Sequence, residues 1–267
     1  MADKTNKSGM YNAIIAEIFR RHYQEGITNF EFNRSEFIEV AQSLNIPPPK
    51  NLGDVLYSYR FRRELPKVIS DTAPDSLEWV IELAGQGVYR FKLSPINRIL
   101  PNPNLICIKI PDSTPEIINK YALTDEQALL AKVRYNRLID IFLGITTYSL
   151  QNHLRTTVPN IGQIEIDEIY VGVNQNGVQY VIPVQAKGGS DQLGVVQTKQ
   201  DITCCITKFP DLICRPVSAQ FMQNNVIAMF ELTLENEQIR IVKEKHYQLV
   251  LSKDILREDL EQYKIWE

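Results

Sequence analysis

Apolar residues recur with two distinct periods along the chain. In Met10–Gln24, Ile14, Ile15, Ile18 and Phe19 form one stripe at helical spacing. Ser35–Leu44 repeats that spacing with Phe37, Val40, Ala41 and Leu44, with Asn33 as its expected N-cap. Pro47-Pro48-Pro49 closes it, and a third helix is expected from Asn51 to about Leu65, before Pro66. Leu77–Leu83 and Gly87–Leu93 read as two strands around a Gly85-Gln86-Gly87 turn. A short strand at Leu105–Ile110 precedes a long helical stretch from Thr124 to about Arg155. Thr124 and Gln127 are spaced as a capping box, and Gly144 is expected to divide the stretch in two. Ile164–Val173 and Val178–Lys187 flank Asn174-Gln175-Asn176-Gly177, a strong hairpin signal. A helix over Gly194–Lys208, a strand over Cys214–Met222 and a hairpin across Glu235-Asn236-Glu237 follow. The pattern predicts an α/β fold with a mixed sheet.

Ser94–Asn104 holds three prolines and three asparagines in eleven residues, and so reads as a boundary. Two domains are expected, 1–95 and 96–267. Three helices and then a hairpin is the order of a winged helix-turn-helix, and the first part resembles that shape. Its third helix carries Tyr57, Arg60, Arg62 and Arg63, residue types that reach phosphates and base edges. Arg90 and Lys92 on the hairpin would lie beside the backbone as a wing. Arg60 and Arg63 share a helix face, whereas Arg62 points elsewhere.

Composition narrows the partners. The 267 residues carry 29 Lys and Arg against 32 Asp and Glu, a net charge of −3. No global positive field draws the chain to nucleic acid, so such a partner must be gripped by local basic patches. Four cysteines without a CxxC pair, and three scattered histidines, give neither a disulfide framework nor a zinc site. The polar N-terminus and the lack of a long apolar run lead us to expect a soluble, cytoplasmic protein without a membrane anchor.

The hairpin over residues 164–187 carries the chemistry. Alternation puts Asp167 on one face with Glu165, Ile169 and Val171, and Gln185 on one face with Lys187. A tight turn at Gln175-Asn176 would set Asp167 opposite Val184, with a bulge able to shift that register by one residue. Four apolar residues precede Gln185, and an ammonium at a buried strand end is costly unless offset. An Asp, an amide and a Lys at one point suit a divalent cation beside a scissile phosphate, and hard oxygen ligands suit Mg²⁺ or Mn²⁺. The Ala186 carbonyl is a further candidate ligand. Glu165 and, on the upstream helix, Asp140 are candidate additional acids.

These residues resemble the PD-(D/E)XK nuclease superfamily, which includes most type II restriction endonucleases. Glu165-Ile-Asp167 on one strand and Gln185-Ala-Lys187 on the next carry the likeness. The following helix with Gln197, Gln200 and Asp201, and then the strand Cys214–Met222, match the order of elements. The resemblance implies a restriction-endonuclease-like core in which Asp167, Gln185 and Lys187 are catalytic and Asp167, Gln185 and the Ala186 carbonyl hold Mg²⁺ or Mn²⁺. It also implies a homodimer that hydrolyses phosphodiester bonds of double-stranded DNA. Gln185 departs from the family pattern, which has Glu or Asp there. Two alternatives remain: a DNA-binding regulator with an inactive nuclease-like core, and a structure-directed repair nuclease.

Overall fold

A computed structural model describes residues 2–49, 51–61, 64–95, 99–121, 126–159, 162–188, 195–236 and 238–264, with backbone alone at 2–8, 54, 57, 60 and 61. The chain divides into two compact units, residues 1–97 with 157–164, and residues 98–156 with 165–267.

The first unit runs α1 (Ala2–His22), β1 (Asn29–Asn33), α2 (Glu36–Ser43), α3 (Leu52–Phe61), α4 (Lys67–Ser70), β2 (Leu77–Gly85) and β3 (Val88–Pro95). Its sheet has the order β1-β3-β2 and is antiparallel throughout. The stripe Ile14, Ile15, Ile18 and Phe19 is buried, as its spacing requires. Phe19 packs edge-on against Phe30, Trp79 and Phe91, with ring centroids 5.4, 5.2 and 5.2 Å away. Strand β1 was not expected. Its Phe30 and Phe32 alternate with exposed Asn29, Glu31 and Asn33, so the signal is period two but only five residues long. Asn33 ends this strand and does not cap α2. Ser35 holds the cap position, and the Glu36 carboxylate reaches back to accept from the Asn33 N–H at 2.7 Å. Asn51 does open α3, its Oδ1 accepting from the Gly53 N–H at 3.0 Å.

The second unit runs β4 (Cys107–Pro111), α5 (Glu116–Tyr121), α6 (Glu126–Tyr135), α7 (Leu138–Leu143), β5 (Thr146–Val158) and β6 (Gly162–Val173), whose facing ends at residues 157–164 belong to the first unit, then β7 (Gln179–Lys187), α8 (Val195–Lys208), β8 (Ile213–Cys214), β9 (Val217–Phe221), β10 (Val226–Glu235), β11 (Gln238–Val250) and α9 (Arg257–Lys264). The sheet order is β4-β11-β10-β9-β7-β6-β5, with β8 beside β7. It is mixed: β7 runs parallel to β8 and β9, and β11 parallel to β4, while β6–β7 and β9–β10–β11 are antiparallel. Residues of α6 and α7 pack on one set of strand side chains, including Tyr170, Ile182, Val184 and Ala186. Ile202 and Val195 of α8 belong to a separate cluster with Phe230 and Leu232. No helix among the described residues is long and apolar enough to cross a membrane.

Two expectations fail here. The helical stretch ends at Leu143, and Thr146–Arg155 is strand. Arg137 at φ 50° separates α6 from α7, and Gly144 at φ 69° terminates the second helix instead of dividing one long stretch. Beyond it Thr146, Thr147 and Tyr148 favour extended backbone. The strand expected over Cys214–Met222 is two short pieces, β8 and β9, broken at Arg215-Pro216. The proposed Thr124 cap lies outside the described residues.

Candidate active site

The hairpin β6–β7 pairs Glu168 with Val184, Ile169 with Pro183 and Tyr170 with Ile182. This is one residue away from the expected register. The connection is not a two-residue turn: the Asn174 N–H donates to the Val178 carbonyl at 3.1 Å, and the Asn174 Oδ1 accepts from the N–H groups of Asn176 and Val178 at 2.9 and 3.0 Å. Paired residues of an antiparallel ladder share a face. Glu168 therefore lies with Val184 and Ala186, and Asp167 falls in phase with Gln185 and Lys187. The corrected register favours the convergence that the expected one worked against.

The Asp167 Oδ2 accepts from the Ala186 N–H at 3.0 Å, which ties the carboxylate to the middle of Gln185-Ala186-Lys187. Burial pushes the Asp167 carboxyl above its usual range, against the opposing pull of the Ala186 N–H and the Lys187 charge. Gln185 is 3% exposed. Its Nε2 donates to Asp201 Oδ2 at 2.6 Å and its Oε1 accepts from Gln197 Nε2 at 2.7 Å. Gln197 and Asp201 lie one turn apart on α8, so a single helix face supplies both partners. Asp201 is 2% exposed, and burial raises its carboxyl well above the ordinary value. Lys187, 5% exposed, donates to Glu126 Oε1 at 3.1 Å. Parallel pairing sets Gln185 beside Ser218 and Lys187 beside Gln220, both buried on β9.

The site thus joins Asp167, Gln185, Ala186 and Lys187 to three side chains that sequence reasoning left out or undervalued. Glu126 sits in the first turn of α6, beside the expected capping box, and nothing in its spacing links it to Lys187. Asp201 and Gln197 share a helical face in the sequence, which is the signal that could have found them. Gln197 is a buried hydrogen-bond donor to Gln185.

The other candidates have different partners. Glu165 faces His153 and Arg155 of β5, each at 3.3 Å, a half-exposed cross-strand cluster. Asp140 accepts from the Thr147 N–H at 2.7 Å, the Thr147 hydroxyl at 3.0 Å and Arg137 Nη2 at 2.8 Å. It fastens the start of β5 to α7. Arg90 Nη2 donates to Glu31 Oε1 at 2.6 Å, and Lys92 pairs with Asn29 in the ladder. Tyr57 and Arg60 lie on the backbone of α3, their side chains outside the description, and Arg62 and Arg63 lie outside the described residues altogether.

Among the described residues, no three His, Cys, Asp or Glu side chains group as a metal cluster. The chain matches no protein-family model, no curated protein and no solved structure.

Proposed function

We propose that the chain is a metal-dependent endonuclease acting on double-stranded DNA, in the manner of a type II restriction enzyme. The observation that carries this reading is the convergence of Asp167, Gln185 and Lys187 on one end of the β6–β7 hairpin, with Lys187 buried against Glu126. Lys187 is buried beside the Glu126 carboxylate with Asp167 within its electrostatic reach, a charged cluster that suits a site where a cation and a phosphate are to join it.

The donor set consists of oxygens, from the Asp167 carboxylate, the Gln185 amide and the Ala186 carbonyl. That set fits Mg²⁺ or Mn²⁺, which keep several waters and need only one or two carboxylates. When bound, such an ion polarises a phosphoryl oxygen and makes hydroxide available near neutral pH. Asp167 would hold the ion, steadied by the Ala186 N–H. Lys187 would orient the attacking oxygen and stabilise charge developing on the phosphate. The order helix–strand–helix–helix–helix–strand–strand in the first unit, closed by a three-stranded antiparallel sheet, supports a winged-helix reading and hence DNA as the substrate. A dimer accords with two-strand cleavage at symmetric sites.

One observation favours the second reading, a DNA-binding regulator with an inactive core: both ends of the Gln185 amide are already engaged. Purified protein incubated with supercoiled plasmid and Mg²⁺ or Mn²⁺ separates the two. Discrete fragments, absent with Lys187→Ala, support the restriction-type nuclease. Nicking or a smear supports a structure-directed nuclease. Intact plasmid with retained duplex binding supports the regulator. Cleavage by Lys187→Ala at the wild-type rate overturns the assigned site, because removal of a charge facing the reacting phosphate should cost about 10²–10³-fold.

A further inference from the structure

Two arginines stand at the junction of α6 and α7, and each is held by an acid that is itself tied to β5. Arg134 Nε donates to Glu168 Oε1 at 2.9 Å, and the Ser149 hydroxyl donates to the same oxygen at 2.6 Å. Arg134 Nη2 also reaches Asn152 Oδ1 at 3.1 Å. Arg137 Nη2 donates to Asp140 Oδ1, and the Thr147 N–H and hydroxyl donate to that same carboxylate. The two guanidiniums, with Asp140, Thr147, Ser149 and Tyr170, line an open recess of about 120 Å³. Water takes about 30 Å³ per molecule in the liquid, so the recess has room for one small oxyanion.

Donors outnumber acceptors here. A guanidinium carries five N–H groups, whereas an ionised carboxylate only accepts. Hydrogen bonds among the described residues use two donors of Arg134 and one of Arg137. Each Asp140 oxygen already accepts, and the second Glu168 oxygen is buried out of a ligand's reach. Stability alone does not call for such an arrangement. Glu168 is 0% exposed beneath an Arg134 that is 37% exposed, and a well-packed apolar side chain at 168 would serve the core as well. Arg137 holds φ 50°, a conformation that glycine adopts at no steric cost. What the arginines add is a pair of positive forks in fixed orientation, each able to take a separate oxygen of one anion.

We infer that Arg134 and Arg137 form a phosphate-binding site, held in place by Glu168 and Asp140. The ligand is a phosphate group, from the backbone of duplex DNA or from free phosphate, and the inference rests on the nuclease reading for the first source alone. The recess lies on the Tyr170 face of β6, away from Asp167. Helix α6 links the two places, since Glu126, the partner of Lys187, opens it and Arg134 stands in its last turn. Each arginine is paired with an acid, so hydrogen bonding rather than net charge carries the affinity, and free phosphate binds in the millimolar range.

The test titrates inorganic phosphate into the nitrogen-15-labelled full-length chain at fixed ionic strength, read by amide and guanidinium resonances. Duplex binding is followed by fluorescence anisotropy against salt, and neither assay contains divalent metal. Arg137→Gln should weaken phosphate by about 10-fold, the loss of a charge-assisted hydrogen bond, with the urea midpoint near that of wild type. Arg134→Lys keeps a charge beside Glu168 but loses the fork, and should weaken phosphate as well. Arg257→Gln, on an exposed arginine of α9 paired with Glu261, should change nothing. Weaker phosphate with an unchanged salt slope assigns the site to free phosphate, whereas a slope lower by about one assigns it to the DNA backbone. Should Arg134→Lys fail to fold, Arg137→Gln decides by itself. Wild-type phosphate affinity and salt slope in Arg137→Gln, or equal losses in Arg257→Gln, overturn the inference. With metal left out, that result leaves the nuclease reading to the plasmid assay.

Discussion

Asp140 shows how a side chain that looks chemical from its residue type can be structural by its partners. Its two oxygens accept from the Thr147 N–H, the Thr147 hydroxyl and Arg137. Thr147 is 7% exposed, so its N–H and hydroxyl have little access to water in compensation. Asp140→Ala should therefore lower stability by about 1–3 kcal/mol, the cost of leaving buried donors unpaired. Urea unfolding measures it, and calorimetric Mn²⁺ binding of the folded variant should match wild type. Lost Mn²⁺ binding with an unchanged urea midpoint would restore Asp140 to the list of ligands. The contrast with Asp167 is instructive. Asp167 spends one oxygen on the Ala186 N–H, and its neighbours Lys187 and Glu126 belong to the same cluster. Nothing in the sequence distinguishes the two acids, because both follow apolar residues in regular elements. Only the tertiary partners do.

At the level of elements, the hairpin β6–β7 was legible because Asn-Gly sits between two β-rich runs, each with its own alternation. Its register was not. A turn residue whose side chain accepts from two backbone N–H groups, Asn174, lengthens the connection and moves every pairing by one. Strand β5 was illegible for a different reason: most of its residues are exposed on both faces, so burial imposes no period on its sequence. What marks it structurally is Gly172 on the neighbouring β6. A Cβ there would stand 3.1 Å from the Thr146 carbonyl oxygen, from Ile145 Cδ1 and from Thr147 Cγ2. Backbone cannot yield as a side chain can, so Gly172→Ala should cost about 1–3 kcal/mol. Hydrogen exchange should speed up first in β5, and unchanged protection there would show that the strand does not rely on this close approach. Helix α1 offers a test by pH. Two arginines, Arg20 and Arg21, hold the Glu17 carboxylate down from 4.5 to about 2, with hydrogen bonds from Arg20 the largest cause. The folded pKa is depressed, so this contribution is full above pH 4.5 and fades as pH falls toward about 2. Glu17→Gln should flatten that limb of the stability curve. Because the pair is exposed, the effect should be small and should shrink in 1 M salt.

For the molecule as a whole, a net charge of −3 means that affinity for DNA must come from few residues. Arg90 already neutralises Glu31, so Arg90→Ala should leave duplex binding nearly unchanged. Arg60→Ala and Arg63→Ala should each weaken it and lower the slope of log affinity against log salt by about one. Fluorescence anisotropy at several salt concentrations reads both quantities. If Arg60→Ala and Arg63→Ala bind like wild type, recognition belongs to the second unit. The sheet of that unit ends at β5, a strand thirteen residues long whose outer edge has no strand beside it among the described residues. Such an edge is a template on which foreign chains can crystallise into aggregates. Two features blunt it: His153 adopts φ 47° and breaks the flatness of the ladder, and Arg155 adds an exposed charge. His153→Val, with a side chain that favours the extended form, would straighten the edge, and light scattering during storage should then rise with protein concentration. On this reading the shelf life of the protein in a tube depends in part on one left-handed residue.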